Sequence, residues 1–152
     1  MRSNFLKILP KNSVGVELGV FRGKFSGKII EVVHPRELHL IDPWWKAMGD
    51  FYGEWSRSHN QGELLSTRQA YDDARARVAA VDKEGVARFH VEDDLQYLPT
   101  FPDHYFDWAY IDSSHLYDHT VSELEILRHK VKPDGIIAVH DWWLDPHHRQ
   151  NV

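Results

Sequence analysis

A strand–turn–helix corner near the start of the chain constrains the fold more than any other stretch. Residues 14–30, VGVELGVFRGKFSGKII, pass from an apolar segment through a glycine-rich turn into an aliphatic segment. The pattern predicts a strand over Val14–Leu18, a turn over Gly19–Phe25, and a helix that Ser26 caps and that ends at Val33. Charged side chains between the glycines at positions 15, 19, 23 and 27 exclude a seam between membrane helices.

The same alternation of short apolar and helical segments continues along the chain. Further strands are predicted over residues 38–41, 86–91, 106–111 and 136–139. Ser66 opens a capping box before a predicted helix over residues 67–81. Another helix is predicted over residues 120–131, with the KPDG sequence as the turn after it. Its inward face is expected to carry Val121, Leu124, Leu127 and Val131. Short apolar strands separated by helices predict an α/β fold, in which helices cover both faces of a parallel sheet.

One segment does not fit this alternation. Residues 43–65 are rich in aromatic and polar side chains and are too long for an ordinary connection between a strand and a helix. We predict that this segment is a lid or substrate-binding loop with some helix. Its tryptophans, together with Trp142 and Trp143, are expected to contribute to a binding pocket.

Composition and charge exclude several classes of protein. The chain has 152 residues, which suits a single domain over residues 1–152 with one core. A formal net charge of −5 argues against a nucleic-acid-binding protein that neutralises phosphates, and the absence of cysteine excludes disulfides and thiolate metal sites. The sequence shows no apolar run of membrane-spanning length and no signal peptide. We therefore expect a cytoplasmic protein without a membrane or nucleic-acid partner.

Acidic side chains stand at the ends of the predicted strands. Glu17 lies in the end of the first strand, and Asp42, Asp93, Asp112 and Asp141 follow the second, third, fourth and fifth. In open α/β sheets, ligands bind outside the carboxyl ends of the strands. The pattern therefore predicts a ligand site at this edge, with helix capping as an equal interpretation for Asp42 and Asp93.

The spacing between the glycine turn and the second acid restricts the ligand. Asp42 follows Gly19 by 23 residues, which is close to the spacing of about 20 residues at which an acid reaches a ribose hydroxyl in nucleotide-binding folds. The turn lacks the G-x-G-x-x-G pattern that brings the backbone against a pyrophosphate. The sequence therefore favours a ligand that contains a ribose but no phosphate bridge.

Three stretches together resemble class I S-adenosylmethionine-dependent methyltransferases. VELGVFRGKFS is similar to the first motif, where Glu17, Gly19 and Gly23 match E/D-x-G-x-x-x-G, and LHLIDPW is similar to the second strand with its terminal acid. Residues 106–143, FDWAYIDSSHLYDHTVSELEILRHKVKPDGIIAVHDWW, resemble the small O-methyltransferases related to macrocin O-methyltransferase. The resemblance covers residues 13–143 and implies a Rossmann-like, doubly wound, mainly parallel sheet that binds S-adenosylmethionine.

The resemblance implies a cofactor site at the strand ends. Glu17 and Gly19 would contact the methionine part, Asp42 would accept hydrogen bonds from the ribose, and Asp93 would face the adenine amino group. Trp44 would border the adenosine, with packing beneath the long loop as an equal alternative. The implied cofactor-binding residues are Glu17, Gly19, Gly23, Ser26, Asp42, Trp44, Asp93 and Asp112.

The resemblance also implies a mode of catalysis. Within the D-x-x-H pattern, Asp112 would bind a divalent metal, and His115 would be the general base that removes the proton from an acceptor hydroxyl. Asp141 would be a second carboxylate on the same ion. His140 is either a further ligand, which would shift the preference from Mg²⁺ toward softer cations, or a histidine that is hydrogen-bonded to the backbone.

The length of the chain leaves alternatives open. The family's sheet usually has seven strands, whereas this sequence ends shortly after the predicted fifth strand. The domain is therefore expected to be short at its C-terminus, with an open sheet edge that favours a homo-oligomer. The main hypothesis is a methyltransferase that acts on a small hydroxylated molecule. The alternatives are a catalytically degenerate module that binds the same cofactor and a nucleotide-binding oxidoreductase, which the glycine pattern disfavours.

Overall fold

The computed structural model describes residues 4–140, in which five strands alternate with helices. The strands are β1 (Val14–Leu18), β2 (Glu37–Asp42), β3 (Ala87–Val91), β4 (Phe106–Ile111) and β5 (Val131–Val139). The α-helices are α1 (Lys24–Val33), α2 (Trp45–Met48), α3 (Thr67–Val81), α4 (Asp94–Tyr97) and α5 (Tyr117–Lys130). Short 3₁₀ helices lie at Phe5–Lys7, Glu54–His59 and Leu98–Thr100.

The strands form one parallel sheet in the order β3-β2-β1-β4-β5. Helix α1 packs against α3, and α4 packs against α5. Neighbouring side chains of β2 enter different hydrophobic clusters: Leu40 belongs to the cluster that includes Ala74 of α3, and Ile41 to the one that includes Leu127 of α5. Since successive side chains of a strand point to opposite faces, helices cover both faces. The predicted doubly wound, parallel α/β sheet is confirmed.

The strand order reverses at β1, which lies between β2 and β4. The N–H of Gly19 donates to the carbonyl of Ile41 at 3.0 Å, and the N–H of Asp112 donates to the carbonyl of Leu18 at 2.8 Å. These bonds hold the carboxyl ends of three neighbouring strands at one edge of the sheet. Ligand sites of open α/β sheets form at such a reversal, so the topology brings the glycine turn and Asp112 to the expected place.

Helix α1 begins earlier than the sequence predicts. Gly23, not Ser26, is the residue that precedes its first turn, with a φ of +70°. Such a φ costs glycine little and other residues more, so the glycine ends the turn and Ser26 lies inside the helix. The cap of α3 is confirmed, because the Ser66 hydroxyl accepts a hydrogen bond from the N–H of Gln69.

The α5–β5 region departs from the prediction in two ways. Helix α5 begins at Tyr117, and its fully buried residues are Thr120, Glu123 and Leu127, so Val121 and Leu124 do not form the innermost face. The expected KPDG turn is wrong, because residues 132–135 lie within β5. A shift in the β4–β5 register accommodates them, and the ion pair between Lys132 and Asp107 supports the irregular stretch.

Residues 43–65 contain α2 and the 3₁₀ helix Glu54–His59, as expected of a long loop with some helix. The N–H of Tyr52 donates to the carbonyl of Leu65 at 3.0 Å and closes the base of the loop. The ring of Trp55 contacts the rings of Phe21 and Tyr52. The loop is therefore joined to the glycine turn, and its action as a lid stays a prediction. No helix of the described residues is long and apolar enough to cross a membrane.

Candidate functional site

The glycine turn after β1 approaches the end of β4 very closely. Gly19 has a φ of +83°, and a Cβ atom on it would lie 2.2 Å from the backbone oxygen of Asp112. Both the left-handed conformation and the contact require glycine. The turn therefore places the start of the segment from Gly19 to Phe25 directly beside Asp112, the acid that follows β4.

Glu17 is a buried carboxylate at the base of this turn. Glu17 is 1% exposed, and its Oε2 accepts a hydrogen bond of 2.5 Å from the Ser26 hydroxyl. Ser26 is itself fully buried in α1. The serine that the sequence places among the cofactor ligands therefore contacts Glu17 and fixes its orientation.

Asp42 holds the glycine turn through backbone hydrogen bonds. Its Oδ2 accepts from the N–H groups of Val20 and Phe21 at 2.9 and 2.8 Å, and its Oδ1 accepts from the N–H of Trp44 at 2.9 Å. Burial raises the pKa of the Asp42 carboxyl, and the three N–H donors oppose that rise. The structure thus gives Asp42 an anchoring role within the chain, and its contact with a ribose stays a prediction.

Trp44 and Gly23 serve the packing of the site. Trp44 is fully buried, has a φ of +39°, and donates from its indole N–H to the carbonyl of Phe21 at 3.0 Å. A Cβ atom on Gly23 would lie 2.7 Å from the Cα of Ala74, so this glycine lets α1 approach α3. Of the two interpretations of Trp44, its burial favours packing.

A cavity of about 650 Å³ opens beside the glycine turn. Its volume lies within the range of small-molecule sites. Of the predicted cofactor residues, Glu17, Gly19 and Asp112 line it. The remaining lining residues are Val20, Phe21, Arg22, Lys24, Phe25, Lys28, His59 and Arg77. Arg22 pairs with Asp73, whereas Lys24 and Lys28 are exposed at the cavity. The site therefore combines two acids with several cationic side chains.

Asp93 caps α4, as one of its two interpretations predicts. Its Oδ1 accepts from the N–H of Gln96 at 3.1 Å, and the residue is half-buried. It lies after β3 and does not belong to the lining of the cavity. Its contact with an adenine amino group therefore stays a prediction.

Asp112 lies between two imidazoles. Its Oδ1 is 3.4 Å from His115 Nε2 and 3.1 Å from His140 Nδ1. His115 has a φ of +56°, which turns the chain back after β4, and its side chain is 30% exposed. The His140 N–H also donates to the carbonyl of Ile111 at 2.9 Å. This last bond is donated by the backbone N–H, so the structure shows the proximity of His140 to Asp112, and a hydrogen bond from its imidazole to the backbone stays a prediction.

The side chains of Asp112 and its two neighbouring histidines could hold a metal ion. One ligand atom each from Asp112, His115 and His140 lies within 4.8 Å of the others. Two imidazoles and one carboxylate are typical of Zn²⁺ and of non-haem iron, whereas Mg²⁺ prefers oxygen ligands. Asp141, the predicted second carboxylate, lies outside the described residues, as do Trp142 and Trp143.

Some residues of interest escape sequence reasoning. His59 and Arg77 line the cavity from the long loop and from α3, which are distant in sequence. A second group of Asp94, His119 and Glu123 also brings its ligand atoms within 4.8 Å of one another. The i, i+4 spacing of His119 and Glu123 was the available signal for that group, because this spacing places two side chains on one face of a helix.

Comparisons with known proteins agree with this geometry. A family model described as a methyltransferase domain matches residues 16–142. N-methyltransferase NodS from Bradyrhizobium japonicum WM9, solved with S-adenosyl-L-homocysteine, has a TM-score of 0.59 and 17% identity, covering 90% of this chain and 59% of that chain. A putative S-adenosyl-L-methionine-dependent methyltransferase from Methanococcus maripaludis has a TM-score of 0.57 and 11% identity, covering 85% and 48%.

Other comparisons limit what can be transferred. The [4+2]-cyclase SpnF has a TM-score of 0.60 and 16% identity, covering 91% of this chain and 43% of its own. At these identities the similarity shows the fold. The chain spans 43–59% of the lengths of the three structures. A search of curated proteins found no significant match.

Proposed function

The chain belongs to the methyltransferase-domain family, and we propose that it transfers a methyl group from S-adenosylmethionine to a hydroxyl of a small molecule. The observation that carries this proposal is the cavity where Glu17, Gly19 and Asp112 meet at the ends of β1 and β4. A buried carboxylate such as Glu17 suits the ammonium group of the methionine part, and Gly19 leaves the backbone accessible beside it.

The residues around Asp112 support oxygen as the methyl target. When bound, S-adenosylmethionine supplies an electrophilic methyl group, and the acceptor oxygen must lose its proton to attack it. His115 Nε2 faces Asp112 Oδ1 at 3.4 Å, and His115 would take the acceptor proton. Asp112 orients the ring and stabilises the imidazolium, as carboxylates do in catalytic triads. The resemblance of residues 106–143 to the O-methyltransferases related to macrocin O-methyltransferase gives further support.

A divalent cation is the second part of the proposal. His115 cannot be a metal ligand and the general base at the same time. With His115 as the base, a cation would be held by Asp112 together with His140 and Asp141, where it would lower the pKa of an acceptor hydroxyl. The imidazole of His140 makes Mn²⁺ or Zn²⁺ a better choice than Mg²⁺ at this position.

A degenerate cofactor-binding module is the second candidate. The observation in its favour is the similarity to a structure titled as a [4+2]-cyclase, because it shows that this fold does not itself establish methyl transfer. Such a module would bind S-adenosylhomocysteine without transferring methyl groups to any acceptor.

Cofactor binding is tested first by thermal shift with S-adenosylhomocysteine and with NAD. We expect stabilisation by S-adenosylhomocysteine. Stabilisation by NAD alone would refute the assignment of S-adenosylmethionine as the cofactor of this chain. Turnover is then measured with methyl-labelled S-adenosylmethionine over hydroxylated acceptors, with and without Mg²⁺, Mn²⁺ and Zn²⁺. Because Lys24 and Lys28 lie at the cavity, the panel includes each acceptor with and without a carboxylate group.

The role of His115 is tested by His115→Ala, with His129→Ala as the matched control on the exposed part of α5. We expect His115→Ala to retain S-adenosylhomocysteine binding and to lose turnover, a loss of about 100-fold or more for a general base. Full turnover by His115→Ala would refute its role as the base. Binding without turnover by the unaltered chain would instead favour the degenerate module.

A further inference from the structure

A second cluster of metal-ligating side chains lies between α4 and α5. His119 Nε2 is 2.9 Å from Asp94 Oδ1 and 3.7 Å from Glu123 Oε1. His119 and Glu123 lie one turn apart on α5, whereas Asp94 is the first residue of α4. All three ligand atoms lie within 4.8 Å of one another. Two helices that are distant in sequence therefore direct three potential ligands to one point.

The carboxylate of Glu123 is deeply buried and poorly satisfied. Its side chain is 0% exposed, and neither of its oxygens makes a hydrogen bond of ordinary geometry within residues 4–140. The hydroxyls of Ser113 and Thr120 are also buried without such a bond in this part of the chain. A buried polar atom without a partner costs about 1–3 kcal/mol. The His119 imidazole lies 3.7 Å from Glu123 Oε1, beyond hydrogen-bond distance, so a further positively charged group could stabilise this fully buried glutamate.

Charge balance identifies the kind of partner. When the His119 imidazole is neutral, as a metal ligand must be, the two carboxylates leave a charge of −2, which a divalent cation neutralises. A buried charge is tolerated when it is paired or coordinates a metal. The alternative is protonation, since the hydrogen bond to Asp94 raises the pKa of His119, and burial with the neighbouring Asp94 raises the pKa of Glu123 to about 8. Protons on His119 and Glu123 would give separate contacts between pairs of side chains, whereas a metal ion would contact all three side chains at once, and the two states differ in whether they bind an added metal.

We propose that Asp94, His119 and Glu123 bind a divalent transition-metal ion of the Mn²⁺ or Zn²⁺ type. Imidazole suits Zn²⁺, and carboxylates suit Mn²⁺, while the nitrogen ligand disfavours Mg²⁺. The His119 side chain is 24% exposed, so the ion can reach the site from solvent. The ion would join α4 to α5. This site is separate from the Asp112 cluster, and the proposal does not depend on the proposed methyl transfer.

The proposal is tested by titrating the purified full chain with Mn²⁺ and following the electron paramagnetic resonance signal of the free ion. Glu123→Gln keeps the shape of the side chain and removes its charge, and Glu125→Gln is the exposed control on the same helix. Asp112→Asn reports separately on the Asp112 cluster. We expect Glu123→Gln to weaken one site by at least about tenfold, whereas Glu125→Gln and Asp112→Asn retain that site.

A second measurement uses the imidazole ligand. With Asp112→Asn present, so that the imidazoles near Asp112 do not contribute, bound Mn²⁺ should show nitrogen modulation in pulsed spectra, and His119→Gln, at a partly exposed position, should remove the modulation together with the affinity. Circular dichroism confirms that each variant is folded. Equal Mn²⁺ binding by the unaltered chain and by folded Glu123→Gln or His119→Gln would overturn the proposal. Absence of stoichiometric Mn²⁺ and Zn²⁺ binding by the Asp112→Asn variant would also overturn the proposal, because the carboxylates of Asp94 and Glu123 would then be satisfied by a proton instead.

Discussion

Replacing Asp42 should destabilise the chain even when no ligand is present. Asp42 is 7% exposed, and its two oxygens accept three backbone N–H groups. Asp42→Ala removes both acceptor oxygens at once, and two of the three N–H groups that lose their acceptor lie in buried bonds. If Asp42 served only to bind a ribose, the same substitution would weaken ligand binding and leave the stability of the free chain unchanged.

The expected magnitude follows from the burial of the donors. The N–H groups of Val20 and Trp44 are in buried bonds, and that of Phe21 is in a partly buried bond that water can replace. Two buried donors without acceptors cost about 4 kcal/mol. Part of this cost is offset, because burial raises the pKa of Asp42 and its removal relieves a buried charge. We expect a net loss of about 2–3 kcal/mol in the free energy of unfolding.

Urea denaturation of the ligand-free chain measures this loss, and a thermal melt should show a decrease of about 4–10 °C for a chain of this size. Asp93→Ala is the matched control, because Asp93 also follows a strand but accepts one N–H; its loss should be about 1 kcal/mol. Asp42→Asn, which retains one acceptor oxygen, should fall between them. A loss below about 1 kcal/mol for Asp42→Ala, with weaker S-adenosylhomocysteine binding, would refute the anchoring role.

Two further predictions concern the turn and the sheet. Gly19→Ala should lower the melting temperature far more than Gly62→Ala. Both glycines have a positive φ, but of the two only Gly19 would place a Cβ atom against a described backbone atom, the oxygen of Asp112. Equal decreases in melting temperature would show that this contact does not matter. Burial, with His39 as a second cause, lowers the pKa of His90 to about 4 from 6.5, so the unfolded chain binds more protons between these values and unfolding becomes easier as pH falls through them. Urea unfolding should show a lower free energy of unfolding at pH 5 than at pH 7, with up to about 2 kcal/mol of the decrease due to His90. The decrease should be smaller in His90→Phe. An equal decrease in His90→Phe and in the unaltered chain would contradict this role of His90.

The fold could be predicted largely because its signals are local. The bounds of β1, α3 and β4 agree with the prediction, since apolar runs and helical periodicity are properties of neighbouring residues. The predicted start of α1 was wrong because two residues could each precede the first turn of the helix. Ser26 has a good capping side chain, but Gly23 can adopt the left-handed conformation that ends the turn, and Ser26 finds its partner in Glu17 of β1. That partner becomes visible only when the helix is packed on the sheet.

The candidate site could be predicted only in part for the same reason. The order of the acids along the chain predicted a site at the edge of the sheet where Glu17 and Asp112 line a cavity. It could not show that Asp42 bonds to the turn, because the turn's N–H groups carry no signature in the side chains. Helix α5 illustrates the converse, since apolar periodicity pointed to Val121, whereas the fully buried positions include Glu123. A buried polar residue contradicts the periodicity rule and depends on partners from another helix.

The strand-end acids that look equivalent in sequence have different tasks in the structure. Asp42 holds the backbone of the glycine turn, and Glu17 is oriented by Ser26. Asp112 instead contacts two imidazoles that are partly exposed. Proton transfer needs a titratable group that the acceptor can reach, and the anchored Asp42 does not offer one. Under the proposed function, the chemistry of this edge is therefore expected after β4, and substitutions at Asp42 and at His115 should separate into losses of stability and losses of turnover.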